Sequence, residues 1–157
     1  PAKVKITDDP KRAFTKIYET SSIFISRGDD SGTHIKETTI WKMSKLDPTK
    51  FSGDWYRETG SGMGTTLNLA NGMEAYTLTD RASWINFKNK NNLNIVAEKN
   101  QILFNQYGIT MVNPLKCPNV KVKNAKIFMS WLLSETGKSS ISNFKIKNQQ
   151  LFFPNRN

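Results

Sequence analysis

The chain has 157 residues, of which 37% are apolar and 11% aromatic, enough for one domain or one large lobe and too apolar for a disordered chain. Its net charge of +10 raises a polyanion or an acidic membrane surface as partner, yet the densest lysines, Lys116, Lys121, Lys123 and Lys126, lack interleaved aromatics and read as a solvated face. The lone Cys117 excludes an internal disulfide framework and a cysteine zinc site, and no apolar run approaches the ~18 residues of a membrane span.

Residues 7–21, "TDDPKRAFTKIYETS", predict a helix, with Thr7 to Asp9 as cap candidates, Pro10 in the first turn, and Ala13, Phe14, Ile17 and Tyr18 on one apolar face. "SIFIS" at 22–26 is a short buried strand, followed by a helix over about 33–45. Residues 46–59 read as loop with a short extended piece. A further helix is expected over 63–71, with Leu67 and Ala70 inward and Gly72 as its stop. Next come a strand "EAYTL", a helical turn from Asp80 to Phe87, and strands "LNIVAE" and "YGITMVN", the last closed by Pro114. The last helix runs over 124–134, with Phe128, Trp131 and Leu132 inward and Gly137 ending it. Strands alternating with helices indicate an α/β fold with a sheet covered on both faces.

Two Gly/Ser/Thr clusters carry the chemistry: "SRGDDSGTH" at 26–34 and "ETGSGMGTT" at 58–66. Each stands where a strand or loop enters a helix, so its backbone N–H groups are the unpaired donors of a helix start, an anion site. One helix end contributes only ~0.3–1 kcal/mol, so convergence of the two ends on one oxyanion is what matters. Ser31, Thr33 and Ser61 would add hydroxyls, Arg27 a forked cation, and Gly32, Gly62 and Gly64 close approach to the main chain with positive φ at some turns. Asp29 beside Arg27 is read as its orienting partner. Taken alone, either cluster reads first as a helix cap, with a helix-start anion site as the alternative.

Competing motifs fail. "GSGMGTT" lacks the lysine of a P-loop and does not match GxGxxG, and Ser61 is no nucleophile elbow because Thr59 and Met63 stand where glycines belong. "RGD" at 27–29 is too short to argue from. His34 is the only histidine, which excludes a His dyad and a multi-His metal site; it is read as a helix N-terminal residue. Trp41, Trp55, Trp84 and Trp131 read as packing rather than a base-stacking platform.

"FISRGDDSGTHIKE", "DWYRETGSGMGTTLNLANGMEAYTLTDRASWINFKNK", "LFNQYGITMVNP" and "NQQLFFPN" closely resemble the tungstate-binding proteins of tungstate ABC transporters, over nearly the whole chain. The resemblance implies the type II periplasmic-binding-protein fold, two α/β lobes closing on an oxyanion, with the N-terminal lobe and its Thr-Thr-Ser-type stretch missing here. It makes residues 1–108 the second lobe, with a mixed sheet flanked by helices, and 109–157 a return hinge strand and C-terminal helical segment packing toward the first lobe. Carried over from phosphate-binding relatives, the pattern makes Arg27, Ser31, Gly32 and Thr33 ligand contacts and Asp29 the support of Arg27; Ser61, Gly62, Met63, Gly64 and Thr65 are the second contact set.

The expected role is capture of tungstate or molybdate in a periplasmic or extracytoplasmic compartment, with the leader absent from this chain, and delivery to ABC permease subunits. Tungstate is bound as an oxyanion, with no cofactor, no catalysis, no nucleic acid and no direct membrane insertion. Full deprotonation of tungstate favours a site of donors only. The rival is an oxyanion-sensing effector domain of a transcription regulator; a phosphoryl hydrolase lacks base, metal set and activated nucleophile.

Overall fold

The structure, a computed structural model, describes residues 3–4 and 9–155. The cap candidates Thr7 and Asp8 lie outside these residues. The chain divides into two compact units, Pro1–Asn105 and Gln106–Asn157.

The first unit is built on a three-stranded parallel sheet. Helix α1 (Pro10–Glu19) starts at Asp9, whose carboxylate accepts from the Lys11 N–H at 3.0 Å, and Pro10 fits the first turn because its missing N–H is one that the helix leaves unpaired. Pro10, Ala13, Phe14 and Ile17 recur at helical spacing and are buried. Strand β1 (Phe24–Ser26) is buried at all three residues, as expected for the centre of a parallel sheet. Helix α2 (Gly32–Met43) leads to a 3-10 turn (Pro48–Phe51) and strand β2 (Tyr56–Glu58); helix α3 (Met63–Gly72) leads to strand β3 (Tyr76–Thr77) and the short α4 (Arg81–Asn86). The order is β2-β1-β3, with Phe24 opposite both Tyr56 and Tyr76.

Successive residues of β1 point to opposite faces, and each face is covered. Phe24 packs in one core cluster with Phe14 and Ile17 of α1, Ile40 and Trp41 of α2, and Trp55 and Tyr56. Ile25 packs on the other side with Ala70 of α3 and Ala75. The first cluster is nearly all aromatic contact, with the Phe14 and Trp41 ring centroids 4.5 Å apart and those of Phe24 and Trp41 5.4 Å apart.

The second unit holds helix α5 (Val122–Leu133), helix α6 (Glu135–Asn143) and an antiparallel hairpin of β4 (Lys145–Ile146) and β5 (Gln149–Gln150). Lys147 and Asn148, at φ 49° and 62°, form a two-residue connection of the kind whose twist matches that of the strands it joins.

Several expectations are corrected. Residues 93–98 form no ladder strand; only Ala97 makes a bridge. Apolar alternation is satisfied there, but a strand needs a hydrogen-bonding partner, and among the described residues the sheet ends at β2 and β3. Residues 107–113 are likewise irregular. Gly72 is the last residue of α3 rather than the residue beyond its end; the left-handed position falls at Glu74, φ 48°. Gly137 does not end α5. Ser134 does, and the same Ser134 accepts the Gly137 N–H at 3.2 Å to cap α6. Phe128 and Trp131 are exposed rather than inward, because within this unit α5 packs mainly on α6 and its other apolar sides stay uncovered. Of the four tryptophans, Trp41 and Trp55 belong to the core, Trp84 is half-buried beneath the Lys90 ammonium, and Trp131 is on the surface.

A Cβ on Gly137 would overlap the Trp131 carbonyl oxygen and stand 2.8 Å from that of Leu132, so backbone itself must move. Gly137→Ala is expected to destabilise its unit by about 1–3 kcal/mol in denaturant unfolding. Gly72→Ala, with nothing within 4 Å of its Cβ, is expected to be neutral or stabilising by up to ~1 kcal/mol.

Candidate anion-binding site

Because β1 and β2 are adjacent and parallel, they deliver both Gly/Ser/Thr clusters to the same edge of the sheet, the edge at the strands' C-terminal ends. Thr59 ties the two together. Its N–H donates to the Ser26 carbonyl at 3.0 Å and its hydroxyl to the Arg27 carbonyl at 3.2 Å. It accepts the Ser61 N–H at 3.1 Å and lies 3.2 Å from the Thr66 hydroxyl.

In the first cluster Arg27 donates to Asp29 through Nε at 3.1 Å and also through Nη2. Asp29 accepts the Ser31 N–H at 3.2 Å as well. Hydrogen bonding from Ser31, with that from Arg27, lowers the Asp29 carboxyl to about 2. Asp30 behaves differently: its side chain is wholly exposed, its φ is 55°, and its N–H is taken by His34 Nδ1 at 3.0 Å. The side chain of Ser31 caps α2 by accepting the His34 N–H at 3.3 Å, so His34 stands in the first turn of that helix.

The second cluster is uncapped. Gly62 occupies the N-cap of α3 without a side-chain hydrogen bond, leaving the first N–H groups of Met63, Gly64 and Thr65 without a capping side chain. Met63 is buried, so only its main chain faces the edge, whereas Gly64 and Thr65 are exposed. The Ser61 hydroxyl is engaged locally, donating to the Thr59 carbonyl at 3.2 Å.

The glycines are redistributed relative to expectation. Gly32, Gly62 and Gly64 have no positive φ, since they lie at helix starts; the left-handed glycines nearby are Gly28 and Gly60. Gly28 needs to be glycine twice over, with φ 56° and a would-be Cβ 2.9 Å from the Cβ of Glu58. A Cβ at Gly62 or Gly64 would meet nothing within 4 Å, so there is open space where a side chain would stand at either position.

Three residues escaped sequence reasoning. Thr59 entered it only as a mismatch to a nucleophile motif. Asn105 places its carboxamide oxygen 3.8 Å from a would-be Cβ on Gly32, with no sequence signal to announce it. Glu37 lies behind the first cluster, 2% exposed, accepting from Ser26 Oγ at 2.8 Å, Tyr56 OH at 2.8 Å and Trp41 Nε1 at 3.2 Å. Its signal was available: it shares a helix face with Ile40 and Trp41, three and four residues on. Burial pushes its carboxyl above the ordinary value, and the hydrogen bonds from Ser26, Tyr56 and Trp41 pull it back. A largely apolar groove lined by Ile109, Met111, Val112, Val122, Phe128 and Met129, with Thr110, belongs to the second unit.

A family model described as "PBP superfamily domain" matches residues 1–136, and the chain belongs to that family. It is 43% identical over 146 residues to the tungstate-binding protein TupA of Peptoclostridium acidaminophilum, covering 92% of this chain and 50% of that one. The solved tungstate-binding protein TupA of Desulfovibrio alaskensis G20 superposes with a TM-score of 0.80 at 39% identity, covering 100% of this chain and 64% of that one. The tungstate ABC transporter structure from Geobacter sulfurreducens gives a TM-score of 0.78 at 39% identity, covering 92% of this chain and 60% of that chain. The chain spans about half the length of the curated relatives it matches.

The depressed Asp29 value fixes a sign. A carboxylate held below its unfolded value contributes stability above about pH 4, and that contribution fades as pH falls toward about 2. A carboxyl-carbon NMR titration is expected to place the Asp29 midpoint near 2, and to move it toward the ordinary aspartate range in Arg27→Ala.

Proposed function

We propose that this chain supplies the oxyanion-binding lobe of an ABC-transporter solute-binding component that captures tungstate, with molybdate as a near-isosteric competitor. One observation carries the proposal: two helix starts at one sheet edge, joined through Thr59, beside an arginine held by Asp29. The donors left for an anion are the remaining Arg27 N–H groups, the first amides of α2 and α3, and the Thr33 and Thr65 hydroxyls. Ser31 and Ser61 act chiefly through the main chain, their hydroxyl oxygens serving as helix cap and local turn. The names of the relatives support tungstate as ligand and an ABC transporter as the recipient.

In this role no bond is made or broken. Binding draws the first lobe over the anion, and the closed state is what the permease recognises. Residues 109–157, with their uncovered apolar side chains, return toward that first lobe. The compartment proposed is extracytoplasmic; among the described residues no helix is long and apolar enough to cross a membrane.

Calorimetry on the full-length protein with tungstate, molybdate, sulfate and phosphate tests the proposal. Tight binding of tungstate and molybdate, with sulfate and phosphate far weaker, is expected; absence of tungstate binding rejects it. Arg27→Ala or Arg27→Lys is expected to weaken tungstate binding by more than about tenfold, ~1.4 kcal/mol, because lysine cannot hold the forked contact. Unchanged affinity removes Arg27 from the site.

A further inference from the structure

We propose that the buried Glu37 is a positioning residue for the anion site, acting through the Ser26 hydroxyl on the Arg27–Gly28 peptide. The inference rests on the oxyanion-binding role proposed above.

Ser26 is fully buried at the C-terminal end of β1, and its hydroxyl donates to Glu37 Oε2 at 2.8 Å. A serine hydroxyl has one hydrogen and two acceptor positions. With the hydrogen drawn to the carboxylate, the lone pairs turn the other way, and there Ser26 Oγ accepts the Gly28 N–H at 3.2 Å. The carbonyl of the same peptide, that of Arg27, accepts from the Thr59 hydroxyl at 3.2 Å. One peptide plane is therefore gripped at both ends, by Ser26 at its N–H and by Thr59 at its oxygen.

That plane sits between the arginine and a left-handed glycine, at the point where the chain leaves the sheet. Tilting it would swing the Arg27 Cα and the Asp29 carboxylate that aims the guanidinium. Glu37 also accepts from Tyr56 of β2 and Trp41 of α2, so the hydroxyl's orientation is referred to both elements that carry the site's frame. Glutamine at position 37 keeps the volume and an acceptor for Tyr56 and Trp41, but it presents an NH2 group to Ser26 Oγ. One lone pair of the serine oxygen then accepts from the amide, and the hydroxyl hydrogen, displaced from residue 37, must turn into one of the two remaining positions, one of which receives the Gly28 N–H.

The test measures tungstate affinity by calorimetry and the Gly28 amide by proton–nitrogen NMR in the full-length protein, alongside thermal unfolding. In Ser26→Ala and Glu37→Gln the Gly28 amide proton is expected to move upfield and exchange faster. Tungstate affinity is expected to fall by about fivefold, the scale of one lost hydrogen bond, in a protein that still unfolds cooperatively. A residue that only holds the core together would lower the unfolding temperature and leave the affinity of the folded molecules alone; that result overturns the proposal, as does an unchanged Gly28 amide. Should Ser26→Ala not fold, Glu37→Gln decides by the same two readouts. An unsubstituted protein that takes up no tungstate rejects the transport role, while the Gly28 amide in the variants still decides whether Glu37 and Ser26 hold the turn.

Discussion

A carboxylate removed from water is the constraint around which the first unit is arranged. Burying Glu37 without compensation would cost several kcal/mol, more than any single aromatic contact in the core contributes. The cost is offset only when Ser26, Tyr56 and Trp41 all bring their donors to it, and these three come from the central strand, its neighbour and the helix between them. A shift of α2 along the sheet breaks the Ser26 and Tyr56 hydrogen bonds together, while Trp41 moves with Glu37 on the same helix. Apolar packing of Phe14, Phe24 and Trp41 tolerates small slides; a satisfied buried carboxylate does not. The register of α2 therefore fixes where its N-terminal turn, Gly32 and Thr33, stands above the strand ends.

The same reasoning explains why the two clusters differ. The first is tightly tied, with Ser31 capping its helix and Asp29 binding both Arg27 and Ser31. The second has no side-chain cap, and Gly62 and Gly64 have open space in front of them. An uncapped helix start in a folded domain has amides to offer, whereas a capped one has already used part of its capacity. In the proposed site the first cluster thus supplies aimed charge and the second supplies free main-chain donors. Thr59, bonded to the Arg27 carbonyl and the Ser61 N–H, keeps the two at a constant separation.

What the sequence made legible follows from the range over which each signal acts. Helix α1 could be read because its cap, its proline and its apolar face all lie within eleven residues, and β1 because three consecutive buried residues leave no other option. Arg27 and Asp29 could be read because they are two residues apart. Residues 93–98 misled because alternation reports which side chains could be buried, not whether a neighbouring edge exists to bond with. Gly72 and Gly137 misled because glycine after an apolar run suits a helix stop equally well as a close backbone approach. Thr59 and Glu37 stayed hidden for a different reason. Their roles are relations among separate elements, and no local pattern encodes which strand will lie beside which.

The inventory of carboxylates carries the argument about ligand choice one step further. An anion that still holds a proton gains from an acceptor in its site, while a fully deprotonated oxyanion gains only from donors. Of the two acidic residues of the first cluster, Asp29 is committed to Arg27 and Ser31, and Asp30 is exposed with its Oδ1 3.6 Å from His34 Nδ1. Glu58, whose Cβ lies beneath Gly28, sends its carboxylate to the Ser52 hydroxyl at 2.9 Å. Glu37 is sealed behind the strand by its own three donors. In the proposed site, hydrogen phosphate would therefore bring its hydrogen to a place where the Asp29 and Glu37 carboxylates are already engaged, and a hydrogen left unpaired would count against it. In the proposed site, discrimination of this kind would need no special contact to tungstate and would follow from how the carboxylates of Asp29 and Glu37 are already used.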